Sequence, residues 1–334
     1  MLLPDSVNLK YPGYLKILEP ILIRSKQYRV AGEGEPIDSS WTIVPFGVIM
    51  GAHYSRHGFD VAYLVDSVSL GYRSVVWFYV RRWRLFHPEL WWNLLRYIKY
   101  APLERDIVFG YRKVIVASRH DAEFLEKRYK RSNIVVIENG VEVGIDSSAL
   151  VASRSKSDFG FRLGMLSFWG AGKPHDFTWF IEEILPPLRR HFPAIRIVLA
   201  GRGGNDQIRR YFESNGCEFV GDVRCLGEFF SSIDIFFTSM RKECGILNKV
   251  LDAFAHRKIV VGFEPNMRAF SALKSGFMTY SNASELIQRI EFVKDNPGEA
   301  RAMEARAYEY VVKHHNWDEK VERLNELFDD SAVV

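Results

Sequence analysis

The sequence predicts an α/β protein built from two doubly wound domains, and three observations carry that prediction. The chain has 334 residues, 47% of them hydrophobic and 26% charged, which is more than one ordinary core organises. From Phe161 onward, short β-rich runs alternate with amphipathic segments, the pattern of a parallel sheet covered on both faces. A polar stretch, Ser147 to Ser157, separates this half from a first half with fewer β-rich runs. The expected organisation is a domain over residues 1–146, a linker at 147–157 and a second domain over 158–315.

The first half offers four runs with strand character: Val61 to Val65, Val75 to Phe78, Lys113 to Ala117 and Asn133 to Ile137. The last enters Glu138-Asn139-Gly140-Val141, a turn whose glycine suits a positive φ. No clear opening strand with a glycine-rich loop precedes these runs, so the first domain is reduced. In the second half, a strand at Arg162 to Ser167 precedes a helix from about Asp176 to His191. A second strand, Ile195 to Ala200, ends in Gly201-Arg202-Gly203-Gly204. This lacks the complete glycine spacing of a dinucleotide fingerprint and reads as a structural turn. The pattern continues with helix Gln207 to Ser214, strand Cys217 to Val220, helix Leu226 to Ser231 and strand Ile233 to Thr238. Helix Leu247 to Ala255, strand Ile259 to Phe263, and helices Glu285 to Lys294 and Pro297 to His315 complete it.

Composition narrows the function. The net charge of +4 conceals an asymmetry: Lys and Arg crowd residues 73–132, whereas Asp and Glu recur in the last third. Nothing in this demands nucleic acid. Cys217, Cys225 and Cys244 form no CxxC pair, which argues against a disulfide framework or thiolate zinc site and for a reducing cytoplasm. Met1 to Asp5 does not read as a signal peptide. The apolar run Trp41 to Ala52 contains Pro45 and two glycines and falls short of the ~20 residues of a membrane-spanning helix.

The segment Lys242-Glu243-Cys244-Gly245-Ile246-Leu247-Asn248-Lys249-Val250-Leu251-Asp252 follows an apolar strand and opens a helix. A glycine lets backbone approach a ligand, and helix-start N–H groups and the helix dipole favour an anion. Lys249 in the first turn adds a full charge, and Arg241 just before the loop offers a planar fork. Asp252, seven residues beyond Gly245, is placed to accept from ribose hydroxyls. The competing reading is an ordinary capped helix with solvated charges. In the first half, Asp66 follows a strand and stands at the carboxyl edge of its sheet, where open α/β folds bind ligands. It is the preferred acid or base of the first half, against a plain turn or helix cap in Asp66-Ser67.

Several pieces in order resemble the retaining GT-B glycosyltransferases, family 4 or glycosyl transferases group 1. Ile137-Glu138-Asn139-Gly140-Val141 is similar to the family's turn before the linker. Gly245 to Ala255 is similar to its Gly-x-x-x-Lys-Val-Leu-Glu-Ala motif. Phe219-Val220-Gly221-Asp222-Val223 with Ile233-Asp234-Ile235-Phe236 resembles the segments flanking the nucleotide base. Ser118 to Leu125 resembles its Ser-x-x-Asp helix, and Trp317-Asp318 opens a last helix, 316–334, that in the family crosses back to the first domain. The resemblance covers about residues 104–320. It implies two Rossmann-like domains facing an interdomain cleft, a nucleotide diphosphate sugar as donor, and no cofactor. Implied donor-binding residues are Gly170, Lys173, Gly221, Asp222, Gly245, Ile246, Leu247, Asn248 and Asp252. Two departures stand out: Cys244 occupies a position where the family commonly places Glu, and Asp252 replaces the helix Glu.

Arg241, Lys249 and Lys173 are the candidates to stabilise a leaving diphosphate. Asp66, Arg241 and Lys249 are the catalytic candidates, and without an Asp-x-Asp motif no essential metal is expected. The implied acceptor is a glycan or lipid-linked molecule of cell-surface polysaccharide or lipopolysaccharide synthesis. Alternatives are a catalytically weak nucleotide-sugar-binding subunit or a nucleotide-sugar epimerase on the same fold. Val75 to Tyr100 is dense in aromatics and bases, among them Arg81, Arg82, Trp83, Arg84, Trp91 and Trp92. That mixture suits an anionic membrane surface, hence a peripheral location on the inner face. Nucleic acid would also tolerate the mixture, and the competing reading buries the tryptophans in the core and leaves the charges solvated.

Overall fold

The computed structural model describes residues 44–56, 60–143, 161–169 and 175–329. The expected linker at 147–157, together with Gly170 and Lys173, lies outside them. The chain divides into one unit of Met1–Gly140, Lys242–Ile246 and His315–Val334 and another of Val141–Arg241 and Leu247–His314. The loop Lys242–Ile246 makes its contacts within the first unit, an assignment that local sequence pattern does not carry.

In the first unit the order is α1 (Gly47–Tyr54), β1 (Val61–Val65), α2 (Val68–Arg81), α3 (Pro88–Gly110), β2 (Lys113–Val116), α4 (Arg119–Tyr129) and β3 (Ile134–Val136). The strands form a parallel sheet in the order β1-β2-β3. Side chains alternate across a strand, and both faces are covered. Val61, Tyr63, Val65 and Ile115 join one cluster with Phe46 and Ile137, while Ala62, Leu64, Val114 and Val116 join another with Ile107 and Leu125.

Val75 to Phe78, expected as a strand, is helical. Ser67 starts α2 by accepting from Leu70 N–H at 3.2 Å, and Leu70, Val75, Phe78 and Tyr79 form its buried face. The cap and a helical apolar stripe outweigh the β preference of Val-Val-Trp-Phe. Gly140 also departs from expectation, because its φ is not positive. A Cβ there would stand 2.5 Å from the Trp317 ring, so close packing selects the glycine.

Helices α2 and α3 pack as a hairpin. Beyond the end of α2, Trp83 N–H donates to Val80 O at 3.0 Å and Arg84 N–H to Tyr79 O at 3.0 Å, the paired bonds of a Schellman motif. The position that normally holds glycine is Trp83, at φ 55°, a placement that costs roughly 1–3 kcal/mol for a residue with a Cβ. Tyr79 stacks on His87, with ring centroids 4.2 Å apart, and donates to Glu89 at 3.0 Å. Trp91 Nε1–H donates to Leu85 O at 3.0 Å.

The second unit runs β4 (Arg162–Leu166), α5 (His175–Trp179), a π turn (Phe180–Ile184), α6 (Leu185–His191), β5 (Arg196–Ala200), α7 (Asp206–Ser214), β6 (Glu218–Gly221), α8 (Leu226–Ser231), β7 (Ile235–Thr238), α9 (Asn248–Ala255), β8 (Ile259–Phe263), α10 (Glu264–Met267), β9 (Met278–Tyr280), α11 (Ala283–Asp295) and α12 (Pro297–His314). The π turn interrupts the helix expected at Asp176 to His191 next to Pro186 and Pro187, which supply no N–H donors. Its parallel sheet has the order β6-β5-β4-β7-β8-β9. Successive strands are added outward from β4 on one side and then from β7 on the other, so the strand order reverses between β4 and β7, the switch point at which open α/β sheets bind ligands. The last helix, α13 (Trp317–Asp329), contributes Trp317, Val321 and Leu324 to the first unit's core.

Candidate functional site

At the switch point of the second unit, Lys249 from the first turn of α9 extends its Nζ to the Leu166 carbonyl, 2.8 Å away at the carboxyl end of β4. Beside β4, β7 ends at Thr238 and leads through Ser239 to Arg241. Arg241 is 2% exposed, so its guanidinium lies within the fold instead of extending into solvent. Helix α9 has Leu247 at its N-cap, with no side-chain cap and no acid in its first turn. Its positive end is therefore not offset by the usual Ser, Thr or Asp. Asp252 lies three residues beyond Lys249 on the same helical face and is partly buried. Asn248 is exposed, whereas Ile246 is buried.

Gly221 and the exposed Asp222 end β6, at the outer edge of this sheet. Two strand spacings, about 10 Å, separate them from β4. Gly221 has φ +81° and accepts from Gly201 N–H at 2.7 Å. Gly201, at φ +130°, would bring a Cβ to 1.8 Å from Ser167 O, so the glycine-rich segment is a tight turn between strand ends.

At the carboxyl ends of β1 and β2, the first unit presents carboxylates. Val65 has φ +73°, an outlier for a β-branched residue, and the turned backbone lets Asp66 N–H donate to Leu64 O at 3.0 Å. Cys244 Sγ donates to Asp66 Oδ2 at 3.5 Å, and burial raises the pKa of both groups. The structure thus brings Asp66 and Gly245 together: a Cβ on Gly245, itself at φ +73°, would stand 3.2 Å from Asp66 Cβ. Gly71 is small because Cys244 Sγ would lie 2.5 Å from any Cβ there.

The hub of this cluster is Asp121, which sequence pattern marks only as part of a helix start. Its Oδ1 accepts from Ser67 N–H at 3.1 Å, and its Oδ2 accepts from Ser118 Oγ at 2.5 Å and Gly245 N–H at 2.7 Å. The Gly245 N–H, expected to point at a ligand, is therefore directed to a carboxylate of the protein. Glu243 N–H likewise donates to Ser74 Oγ at 3.1 Å. Burial, with the nearby Asp66 charge, pushes Asp121 up to about 7 despite the three donors. Glu104, fully buried, accepts from Ser67 Oγ at 2.9 Å and from Ser69 N–H and Oγ, with its pKa raised by burial. His120 Nε2 meets Glu243 Oε1 at 3.0 Å. Ser118-x-x-Asp121 was the one visible signal. Its spacing indicates a helix cap and carries no mark of the remote Ser67 and Gly245 donors.

The membrane-side candidates lie on the hairpin. Trp83, Trp91 and Trp92 are 86%, 54% and 57% exposed, which corrects the competing expectation that these tryptophans belong to the core. Arg81 is exposed, and Arg82 and Arg84 are partly so. Among the described residues, no helix is long and apolar enough to cross a membrane. Among the same residues, no group of three or more His, Cys, Asp or Glu side chains is arranged to hold a metal ion.

Residues 163–296, most of the second unit, match the family model described as Glycosyl transferases group 1. No curated protein matches the chain by sequence. Among solved structures, the chain is similar to TarM of S. aureus, at 15% identity and TM-score 0.54, over 69% of this chain and 46% of TarM. The chain therefore spans about half the length of that protein. It is similar to sucrose-phosphate synthase from Thermosynechococcus elongatus at 14% identity and TM-score 0.61, over 98% of this chain and 79% of the other. It is also similar to Anabaena HepE in complex with UDP-glucose, at 14% identity and TM-score 0.56, over 86% and 78% of the two chains. The fold of this chain is the α/β, parallel-sheet fold of these GT-B glycosyltransferases.

Proposed function

We propose that this protein is a retaining glycosyltransferase that moves a sugar from a nucleoside diphosphate sugar to a glycan or lipid-linked acceptor of cell-surface polysaccharide synthesis. The observation that carries the reading is Lys249, held by the Leu166 carbonyl at the β4/β7 switch point beside an uncapped helix start. A diphosphate there gains a direct cation, helix-end N–H groups and the field of Arg241. Such groups stabilise charge on a leaving diphosphate without a metal. The match of residues 163–296 and the UDP-glucose bound to HepE support this donor class.

On the acceptor side, Asp66 is the proposed proton acceptor. A carboxyl lifted by burial is better matched to proton transfer near neutral pH than an ordinary Asp. Three free cysteines suit a reducing cytoplasm. The test is product formation with a panel of UDP-, GDP- and ADP-sugars and lipid-linked glycan acceptors, scored for anomeric configuration. Transfer with retention is expected; an inverted product overturns the mechanism. A second reading, a nucleotide-sugar-binding subunit of low turnover, is favoured by Cys244 and by the engagement of Gly245 N–H with Asp121. It predicts donor binding without transfer to any acceptor.

A further inference from the structure

We propose that the α2–α3 hairpin docks on an anionic lipid bilayer, with Trp83 and Phe86 entering the headgroup layer and the outer stripe of α3 lying along the interface. Three observations independent of the donor site point there. First, the tip is held by fixed contacts around side chains that return little contact to the other described residues. Trp83, in the left-handed position of a Schellman turn, is 86% exposed, and Phe86 is 95% exposed. The turn that displays them is fixed by Tyr79 on His87 and Glu89 and by Trp91 on Leu85 O. An aromatic in a glycine position, displayed outward on a fixed turn, fits a wedge for a soft apolar phase.

Second, α3 is apolar on two faces. Leu90, Ala101, Ile107 and Val108 face the core. Trp91, Leu95 and Ile98, spaced by four and three residues, form an outward stripe exposed by 54%, 61% and 60%. A surface helix of a globular protein normally carries one apolar stripe and a polar opposite face. Third, positive charge predominates along the segment that forms the patch. Residues 75–100 hold Arg81, Arg82, Arg84, Arg96 and Lys99 against Glu89 as the only acid, and Glu89 accepts from Tyr79 OH. Arg96 lies over the Trp92 ring at 4.9 Å, pairing a base with an interfacial aromatic. Tryptophan at headgroup depth with clustered bases is the combination that binds anionic lipid. A protein partner is a poorer fit, since fixed bases interleaved with apolar groups need a surface that is both acidic and deformable.

The experiment is cosedimentation of the full chain with vesicles of phosphatidylcholine containing about 30% phosphatidylglycerol, at low and high salt, beside pure phosphatidylcholine vesicles. The parent is expected to bind the anionic vesicles and to be weakened at least tenfold by high salt. Trp83→Ser/Phe86→Ser is expected to lose at least tenfold in vesicle affinity. Arg81→Ser/Arg84→Ser is expected to bind more weakly, with a smaller salt effect. Circular dichroism melts and UDP calorimetry on each variant check that fold and donor site persist. A parent that does not sediment with anionic vesicles at low salt, or Ser variants that are folded and bind as the parent does, overturns the proposal. So does sedimentation velocity that finds a dimer dissolved by Trp83→Ser/Phe86→Ser, since the patch is then an interface between copies.

Discussion

The two sheets end in different ionisable groups. At the carboxyl ends of β4 and β7, the second unit sets Lys249 on a backbone carbonyl and places Arg241 within the fold. At the carboxyl ends of β1 and β2, the first unit sets Asp66 and Asp121, both with pKa raised by burial, and ties the loop Lys242–Ile246 to them. Cations at a switch point suit an anionic leaving group, whereas carboxylates poised to hold or accept a proton suit a hydroxyl. The contrast teaches that one topology, a parallel strand followed by a helix, can present either kind of group. The side chains at the strand ends decide which.

If Asp66 is the proton acceptor, Asp66→Asn breaks the first unit's half of the contrast most severely. Turnover is expected to fall roughly 100- to 10,000-fold with UDP affinity unchanged, measured by kcat and by calorimetry. Equal losses in both assign Asp66 to donor binding instead. The second unit's half is tested by Lys249→Ala, which removes a charge-assisted contact of about 1.5–3 kcal/mol. UDP affinity is expected to drop about 10- to 100-fold while the melting temperature stays near the parent's, and an unaltered affinity removes Lys249 from the donor site.

Asp121 sharpens the comparison through pH. Its folded pKa of about 7 lies above the ordinary 3.8, so between these values the folded state keeps a proton that the unfolded state has lost. The stability it contributes is complete below about pH 4 and is lost as pH rises through 7, by roughly 2–4 kcal/mol in all. Urea denaturation from pH 5 to 8 is expected to show this slope in the parent and a flatter one in Asp121→Asn. Parallel slopes contradict the assignment. The smallest expected effect is that of excess chelator, which should leave turnover unchanged because Lys249 and Arg241 carry the charge. Loss of activity restored by a divalent ion contradicts it.

Legibility differed between the two units for a physical reason. The second unit's strands and helices alternate in register with their hydrophobic pattern, so β4 through α12 were readable except for β9, the short α10 and the π turn at Phe180–Ile184. In the first unit, Val75-Val76-Trp77-Phe78 reads as a strand by residue preference. It folds as helix because Ser67 caps it and its apolar residues fall on one helical face. Gly140 illustrates the same limit. Its need for smallness comes from Trp317, far along the chain, and not from a turn.

The sequence by itself determined the α/β class, the strands β1, β2 and β3 and nearly all of the second unit. It also marked Lys249, Asp66 and the aromatic, basic segment at Val75 to Tyr100, because local periodicity and motif spacing encode these directly. Tertiary structure alone decided that Asp121 gathers Ser67, Ser118 and Gly245, that the Gly245 N–H is directed to it, and that Trp83, Trp91 and Trp92 face outward. Those facts depend on contacts between residues distant in sequence and on which face of a helix the core covers. Neither is fixed by the residues of any one segment.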